Sequence, residues 1–123
     1  MVATEGKALL RIEQGIFQVV FERNTILVLE DAKRIVAQRL ILSGDKEYPL
    51  YIDIRGIVSI DEPTRKYLAG PEGTSKVIKA AIHVDNPISK LLGNIFLTVD
   101  NPPKPAKLFT DKIKAMKWLS TMV

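Results

Sequence analysis

Segments typical of β-strands alternate along this chain with segments whose apolar residues have helical spacing. The predicted strands are residues 8–13, 16–21, 50–54, 77–84 and 107–109, and the predicted helices are residues 29–42, 61–69, 87–99 and 111–121. The first three helices each connect one strand to the next, which predicts a mainly parallel sheet with right-handed crossovers. We therefore expect an α/β fold with a mixed, mostly parallel sheet and about four helices.

Local signals set the ends of several predicted elements. Gly15 separates the first two strands, so we expect an antiparallel hairpin at the N-terminal edge of the sheet. Asp61-Glu62-Pro63 has the residue types that begin a helix, with an acidic side chain at the cap and proline in the first turn. Thr110 is predicted to cap the last helix.

The third predicted helix is the most apolar segment of the chain. Its stripe continues from residue 88 to residue 99, and Leu97 lies outside that stripe. Gly93 interrupts the helix, which predicts close packing at that point because glycine costs about 1 kcal/mol there relative to alanine. The excess of apolar residues indicates either a pocket beneath the helix or a surface for self-association. The residues assigned to this pocket or interface are Leu91, Leu92, Ile95 and Phe96.

Composition excludes several classes of site. The chain has 123 residues, so a single domain over residues 1–123 is expected. It has no cysteine and one histidine, which excludes disulfide scaffolds, thiolate zinc sites and multi-histidine metal sites. No cofactor or metal is predicted. The longest apolar runs are too short to span a bilayer, and we expect a cytoplasmic protein.

The positive charge is concentrated near the C-terminus. The formal net charge is +4. Residues 104–117 contain five lysines and no arginine. Arginine is the more common reader of base edges, so nucleic-acid binding is not expected. A solvated helix face accounts for these lysines.

Two groups of side chains have the chemistry of an active site. His83 and Asp85 share one face of a predicted strand, and Asp53 and Asp61 flank Arg55 at the end of another. No nucleophile motif accompanies the histidine, and Asp61 is explained by helix capping. Arg55 is expected to pair with an acidic side chain. We therefore predict that the protein is not an enzyme, unless these groups meet in one cleft.

The order and spacing of several segments resemble a known family. The segments are Tyr51–Asp61, Gly70–Gly73, Val84–Leu97, Pro102–Pro103, Leu108–Asp111 and Trp118–Leu119. Together they resemble the stand-alone SpoIIAA-like proteins, small bacterial proteins that are also described as STAS/SEC14-like. The resemblance covers about residues 8–120 and implies a β-α superhelix, in which helices pack against a mixed sheet.

The resemblance also indicates where a phosphorylation site would lie. In anti-sigma-factor antagonists of this fold, a kinase phosphorylates a serine in an Asp-Ser-Ser-Gly segment at the start of a helix. Here Asp61 matches the aspartate, but Glu62 and Pro63 replace the two serines. Thr64 lies one position late and Ser59 lies two positions early. Phosphorylation of this site is therefore not expected to act as a switch.

Two functions follow from this reading. The first is a non-enzymatic regulatory or protein-interaction module that binds an unidentified protein or forms a homodimer. Its predicted surface consists of Ser59, Asp61, Thr64, Arg65, Asp85 and Ser89. The alternative is a small-molecule or lipid carrier with a pocket between the sheet and the helix over residues 88–99. A carrier requires a cavity of several hundred cubic ångströms.

Overall fold

The computed structural model describes residues 2–121, which form a six-stranded sheet, a two-stranded sheet and four α-helices. The large sheet has the strand order β1-β2-β3-β5-β7-β8. Its strands are β1 (Val2–Glu5), β2 (Ala8–Glu13), β3 (Ile16–Phe21), β5 (Tyr48–Asp53), β7 (Val77–His83) and β8 (Ala106–Phe109). The small sheet pairs β4 (Thr25–Leu27) with β6 (Ile57–Ile60). The helices are α1 (Leu29–Ser43), α2 (Glu62–Ala69), α3 (Pro87–Ile95) and α4 (Lys112–Leu119).

The type of strand pairing changes once across the large sheet, from antiparallel to parallel. Strands β1, β2 and β3 are antiparallel, whereas β3, β5, β7 and β8 are parallel. The hairpin between β2 and β3 turns at Gln14 and Gly15, which have positive φ angles of 53° and 76°. Two positive φ angles match the right-handed twist of the flanking strands. The predicted hairpin and the mostly parallel sheet are therefore confirmed.

The helices cover the two faces of the sheet unequally. Helices α1, α2 and α3 lie over the face whose core includes Leu10, Phe17 and Leu50. Helix α4 lies over the other face, where Ala115 and Leu119 pack on the sheet. The last helix therefore covers a separate, smaller core.

Lys79 on β7 fixes the carboxyl end of α4. Its Nζ donates hydrogen bonds to the main-chain oxygens of Trp118 at 2.7 Å and Thr121 at 3.1 Å. The same nitrogen lies 4.6 Å from the centroid of the Trp118 ring. Lys79 is only 5% exposed. A buried cation thus satisfies carbonyl groups that the end of a helix leaves without partners.

Helix ends and turns differ in part from the sequence expectations. Helix α3 ends at Ile95, and a π-helical turn over Phe96–Asp100 replaces the predicted continuation to residue 99. The cap of α4 is Asp111, whose carboxylate accepts from the Ile113 amide at 2.9 Å, so the prediction of Thr110 was wrong. Aspartate and threonine are both good caps, and the chain direction after β8 places Asp111 at the capping position.

Gly93 allows α3 to approach the sheet closely. A β-carbon at this position would lie 2.7 Å from Cδ2 of Leu108 and 3.3 Å from Cγ1 of Val84. The predicted close packing is therefore confirmed. None of the helices formed by residues 2–121 is both long enough and apolar enough to cross a membrane.

Candidate functional site

The predicted contact surface is only partly accessible. Ser59 and Asp85 are exposed, as is Asp61, whose carboxylate accepts a hydrogen bond from the Thr64 amide at 3.1 Å. Thr64 and Ser89, in contrast, are both 0% exposed. These two side chains therefore cannot contribute directly to a surface that a partner contacts.

The buried hydroxyls of this surface belong to helix caps. The Thr64 hydroxyl donates to the Asp61 carboxylate at the start of α2. Ser89 takes part in a capping box with Asn86, in which each side chain bonds the main chain of the other. Their hydrogen bonds are thus used in holding the amino ends of α2 and α3. A modification of Thr64 would require this cap to open.

Arg65 lies apart from these caps. Its Nε donates to Oδ2 of Asp100 at 3.0 Å, and this pair joins α2 to the π-helical turn. The Arg65 side chain is 14% exposed, and that of Asp100 is 1% exposed. Arg65 is therefore mainly committed to an internal ion pair.

A polar groove lies at the carboxyl ends of β3, β5 and β7. This strand-end groove has a volume of about 570 Å³. Its lining residues are Phe21, Arg23, Asn24, Asp53, Arg55, Gly56, Asp85 and Asn86. In open α/β sheets, ligands gather at this edge because the loops that follow the strands meet there.

Asp53 and Arg55 form an ion pair at the floor of the groove. Nε and Nη2 of Arg55 lie 2.9 Å and 2.7 Å from the two carboxylate oxygens of Asp53. Burial opposes ionisation of Asp53, but the hydrogen bonds from Arg55 outweigh it and hold the pKa of Asp53 below its usual range. The same hydrogen bonds raise the pKa of Arg55. The expected pairing of Arg55 with an acidic side chain is confirmed, with Asp53 as the partner, and so is the helix cap formed by Asp61.

His83 lies behind this ion pair and bonds to a tyrosine. Its Nδ1 is 2.6 Å from the hydroxyl of Tyr51. Burial lowers the pKa of His83, and the nearby Arg55 cation acts in the same direction. Burial and the Asp53 carboxylate raise the pKa of Tyr51 to about 12. Both rings are therefore favoured in their neutral forms at neutral pH.

The candidate catalytic groups meet only in part. Asp53 and His83 are opposite each other in the β5–β7 register, whereas Asp61 does not line the strand-end groove. His83 is 3% exposed and does not line the groove either. A general base must reach the proton that it removes, and this imidazole is enclosed. Within residues 2–121, no group of three or more His, Asp or Glu side chains is placed to hold a metal ion.

Exposed apolar side chains follow the groove residues along the same segments. We call this set the apolar patch: Ile26, Val28, Val58, Ile88 and Leu91. Their exposed fractions range from 41% for Val28 and Val58 to 61% for Leu91. The three segments are neighbours, because β4 pairs with β6 and α3 packs on β6.

A small apolar cavity lies between the sheet and the three helices α1, α2 and α3. This core cavity has a volume of about 100 Å³. Of the four residues assigned to a pocket or interface, Leu92 and Phe96 line this cavity, Ile95 does not, and Leu91 is exposed on the apolar patch. The volume is below the several hundred cubic ångströms that a lipid carrier requires. The space suits a much smaller molecule.

Arg39 is a buried residue of this cavity that the sequence analysis did not select. It is 4% exposed and lines the space together with Gly73. The available signal was its position on the buried side of α1, in helical register with Ala32, Ile35 and Val36. A charged residue on the apolar side of a helix indicates a buried polar contact.

A family model named domain of unknown function DUF7793 matches residues 10–123. The chain belongs to this family. Among solved structures, it is similar to an uncharacterized protein from the DUF3478 family with a SpoIIAA-like fold, from Shewanella loihica PV-4. The two are 18% identical, with a TM-score of 0.65, over 96% of this chain and 93% of that chain. The SpoIIAA-like fold is thereby confirmed. No curated protein matches the sequence.

Proposed function

We propose that this protein is a non-enzymatic interaction module that binds a protein partner through the strand-end groove and the apolar patch. The observation that carries the proposal is the position of the apolar patch next to the groove. Each of three neighbouring segments contributes polar groove residues first and exposed apolar residues next. This arrangement suits recognition by contact, since apolar area supplies affinity and polar groups supply specificity.

The apolar patch supports binding of a protein partner. Leu91 is 61% exposed, Ile26 is 60% exposed and Ile88 is 48% exposed. Single exposed apolar residues are common on proteins, but several on adjacent elements are typical of interaction sites. Burial of these side chains against a partner would release their ordered water and favour association.

The charged residues of the strand-end groove support selection of that partner. Arg55 is held in position by Asp53, while Arg23 and Asp85 form no salt bridge within residues 2–121. A cation and an anion on opposite sides of one groove favour a partner with complementary charges. The enclosed Thr64 and the replaced serines indicate that phosphorylation at the start of α2 does not control this binding.

Leu91→Glu is the variant that tests the proposal. The purified protein and this variant are compared as baits in extracts of the source cells, and each captured protein is then purified and titrated against the bait. Loss of a central apolar contact typically weakens binding by about tenfold or more. Ile113→Glu is the matched control, because Ile113 is 80% exposed on α4, outside the patch.

The proposal holds if a partner binds the wild type and Ile113→Glu but loses affinity for Leu91→Glu and for Asp85→Lys. Analytical ultracentrifugation of the bait alone identifies a second copy of the chain as that partner. Equal affinities for the two glutamate variants would place the interaction elsewhere and reject the proposed surface.

A further inference from the structure

Arg39 is a buried cation whose charge has no partner of opposite sign. It is 4% exposed and forms no salt bridge with any of residues 2–121. Buried charges in proteins are normally paired, because transfer from water to the interior is costly. Burial lowers the pKa of Arg39 to about 10, which still leaves it charged at neutral pH.

The guanidinium uses only part of its hydrogen-bonding capacity. Nη1 donates to the carbonyl oxygen of Ser75 at 2.8 Å, and Nη2 donates to that of Gly73 at 3.1 Å. An arginine has five N–H donors, so several remain for another acceptor. Gly73 and Arg39 both line the core cavity.

The rest of the cavity is apolar. Of its lining residues, only Arg39 and Arg65 are charged, and Arg65 already pairs with Asp100. Ile52 lies on the central strand β5 beneath the helices, yet it is only partly buried, because it faces the cavity. The space therefore offers one unpaired cation and apolar walls.

The volume limits the size of an occupant. A cavity of roughly 150 Å³ lined by aliphatic and aromatic side chains accepts benzene, which has six non-hydrogen atoms, so about 100 Å³ corresponds to roughly four to five such atoms, carboxylate oxygens included. We propose that the core cavity binds a small carboxylate with a short aliphatic chain, whose carboxylate pairs with Arg39 and whose chain fills the apolar space. This site is independent of the surface proposed for the protein partner.

Titration with sodium propionate tests this site on the full chain. Methyl-labelled protein is followed by NMR at constant ionic strength, with sodium chloride replacing propionate in the reference. We expect saturable shifts at the methyl groups of Ile52 and Ile82 and a dissociation constant of about 1 mM to 10 mM. Propan-1-ol, which has the same chain but no charge, is expected to bind at least tenfold more weakly.

Two variants distinguish the contribution of the Arg39 charge from that of the cavity volume. Arg39→Met should remove the preference for propionate over propan-1-ol, and Ile52→Phe should abolish binding of both by filling the cavity. Ile41→Phe is the matched control, because Ile41 is 72% exposed on α1. If Arg39→Met does not fold, the two ligands and Ile52→Phe still decide the question. Equal affinities for propionate and propan-1-ol, or no saturable shift with propionate, would overturn the proposal.

Discussion

Lys79 on β7 is bonded to the main chain of Trp118, 39 residues further along the chain, with Nζ and the carbonyl oxygen 2.7 Å apart. The contact joins β7, the neighbour of the edge strand β8, to the end of α4. Because Trp118 is the only tryptophan in the sequence, its fluorescence reports directly on the attachment of this helix.

Lys79→Met should destabilise the protein by about 1–3 kcal/mol, because three hydrogen bonds at the end of α4 are lost. Urea unfolding followed by tryptophan fluorescence measures the change. Lys114→Met is the control, since Lys114 is exposed on the same helix. Equal stabilities of the two variants would mean that Lys79 contributes nothing beyond its aliphatic stem.

Stability should decrease as the pH falls below the ordinary pKa of histidine, 6.5. Burial lowers the pKa of His83 in the folded state, so in this range the unfolded chain binds more protons than the folded protein. The contribution is complete above pH 6.5 and is lost as the pH falls towards the folded-state pKa. Urea unfolding between neutral and mildly acidic pH measures the slope. His83→Gln should flatten it; an unchanged slope would contradict this assignment.

Asp53→Asn should cost about 1–2 kcal/mol, because Arg55 loses a charged acceptor but remains 42% exposed to water. The comparison is Asp31→Asn, which removes a surface pair with Arg34 and should cost well under about 1 kcal/mol. Chemical denaturation of both variants at neutral pH gives the difference. Similar costs for the two variants would mean that the Asp53 pair contributes no more than a surface contact.

Gly56→Ala should destabilise the protein by about 1–3 kcal/mol or more. Its new β-carbon would lie 2.2 Å from the carbonyl oxygen of Glu22, a main-chain atom that cannot move away freely. Gly93→Ala provides the contrast, because its nearest contact is the flexible end of Leu108 and the helix gains propensity. Thermal denaturation should show a clear loss for Gly56→Ala and a small change for Gly93→Ala.

Sequence patterns predicted all four helices and five of the eight strands that residues 2–121 form. Strands β2, β3, β5, β7 and β8 and all four helices were expected, whereas β1, β4 and β6 were not. Strand β4 has three residues, and β6 exposes Val58 and Ser59, so neither gives a strong alternating pattern. They form because they pair with each other, although α1 and β5 separate them in the sequence. Pairing between segments that are distant in sequence leaves no local pattern.

The candidate site shows the same limit. Helix capping by Asp61 and the ion pair of Arg55 involve residues that are neighbours in sequence, so both could be predicted from the local sequence. The contact between Tyr51 and His83 depends on the register of β5 against β7, which the sequence does not specify. Burial of Thr64 and Ser89 likewise depends on how α2 and α3 pack.

The order of strands in the large sheet is the order in which they occur along the chain. During synthesis on the ribosome, each new strand therefore finds an existing edge and is never inserted between two strands already paired. Domains begin to fold from their amino-terminal side as they emerge. The antiparallel hairpins can thus act as a template, and the growing sheet requires no rearrangement until α4 closes its second face.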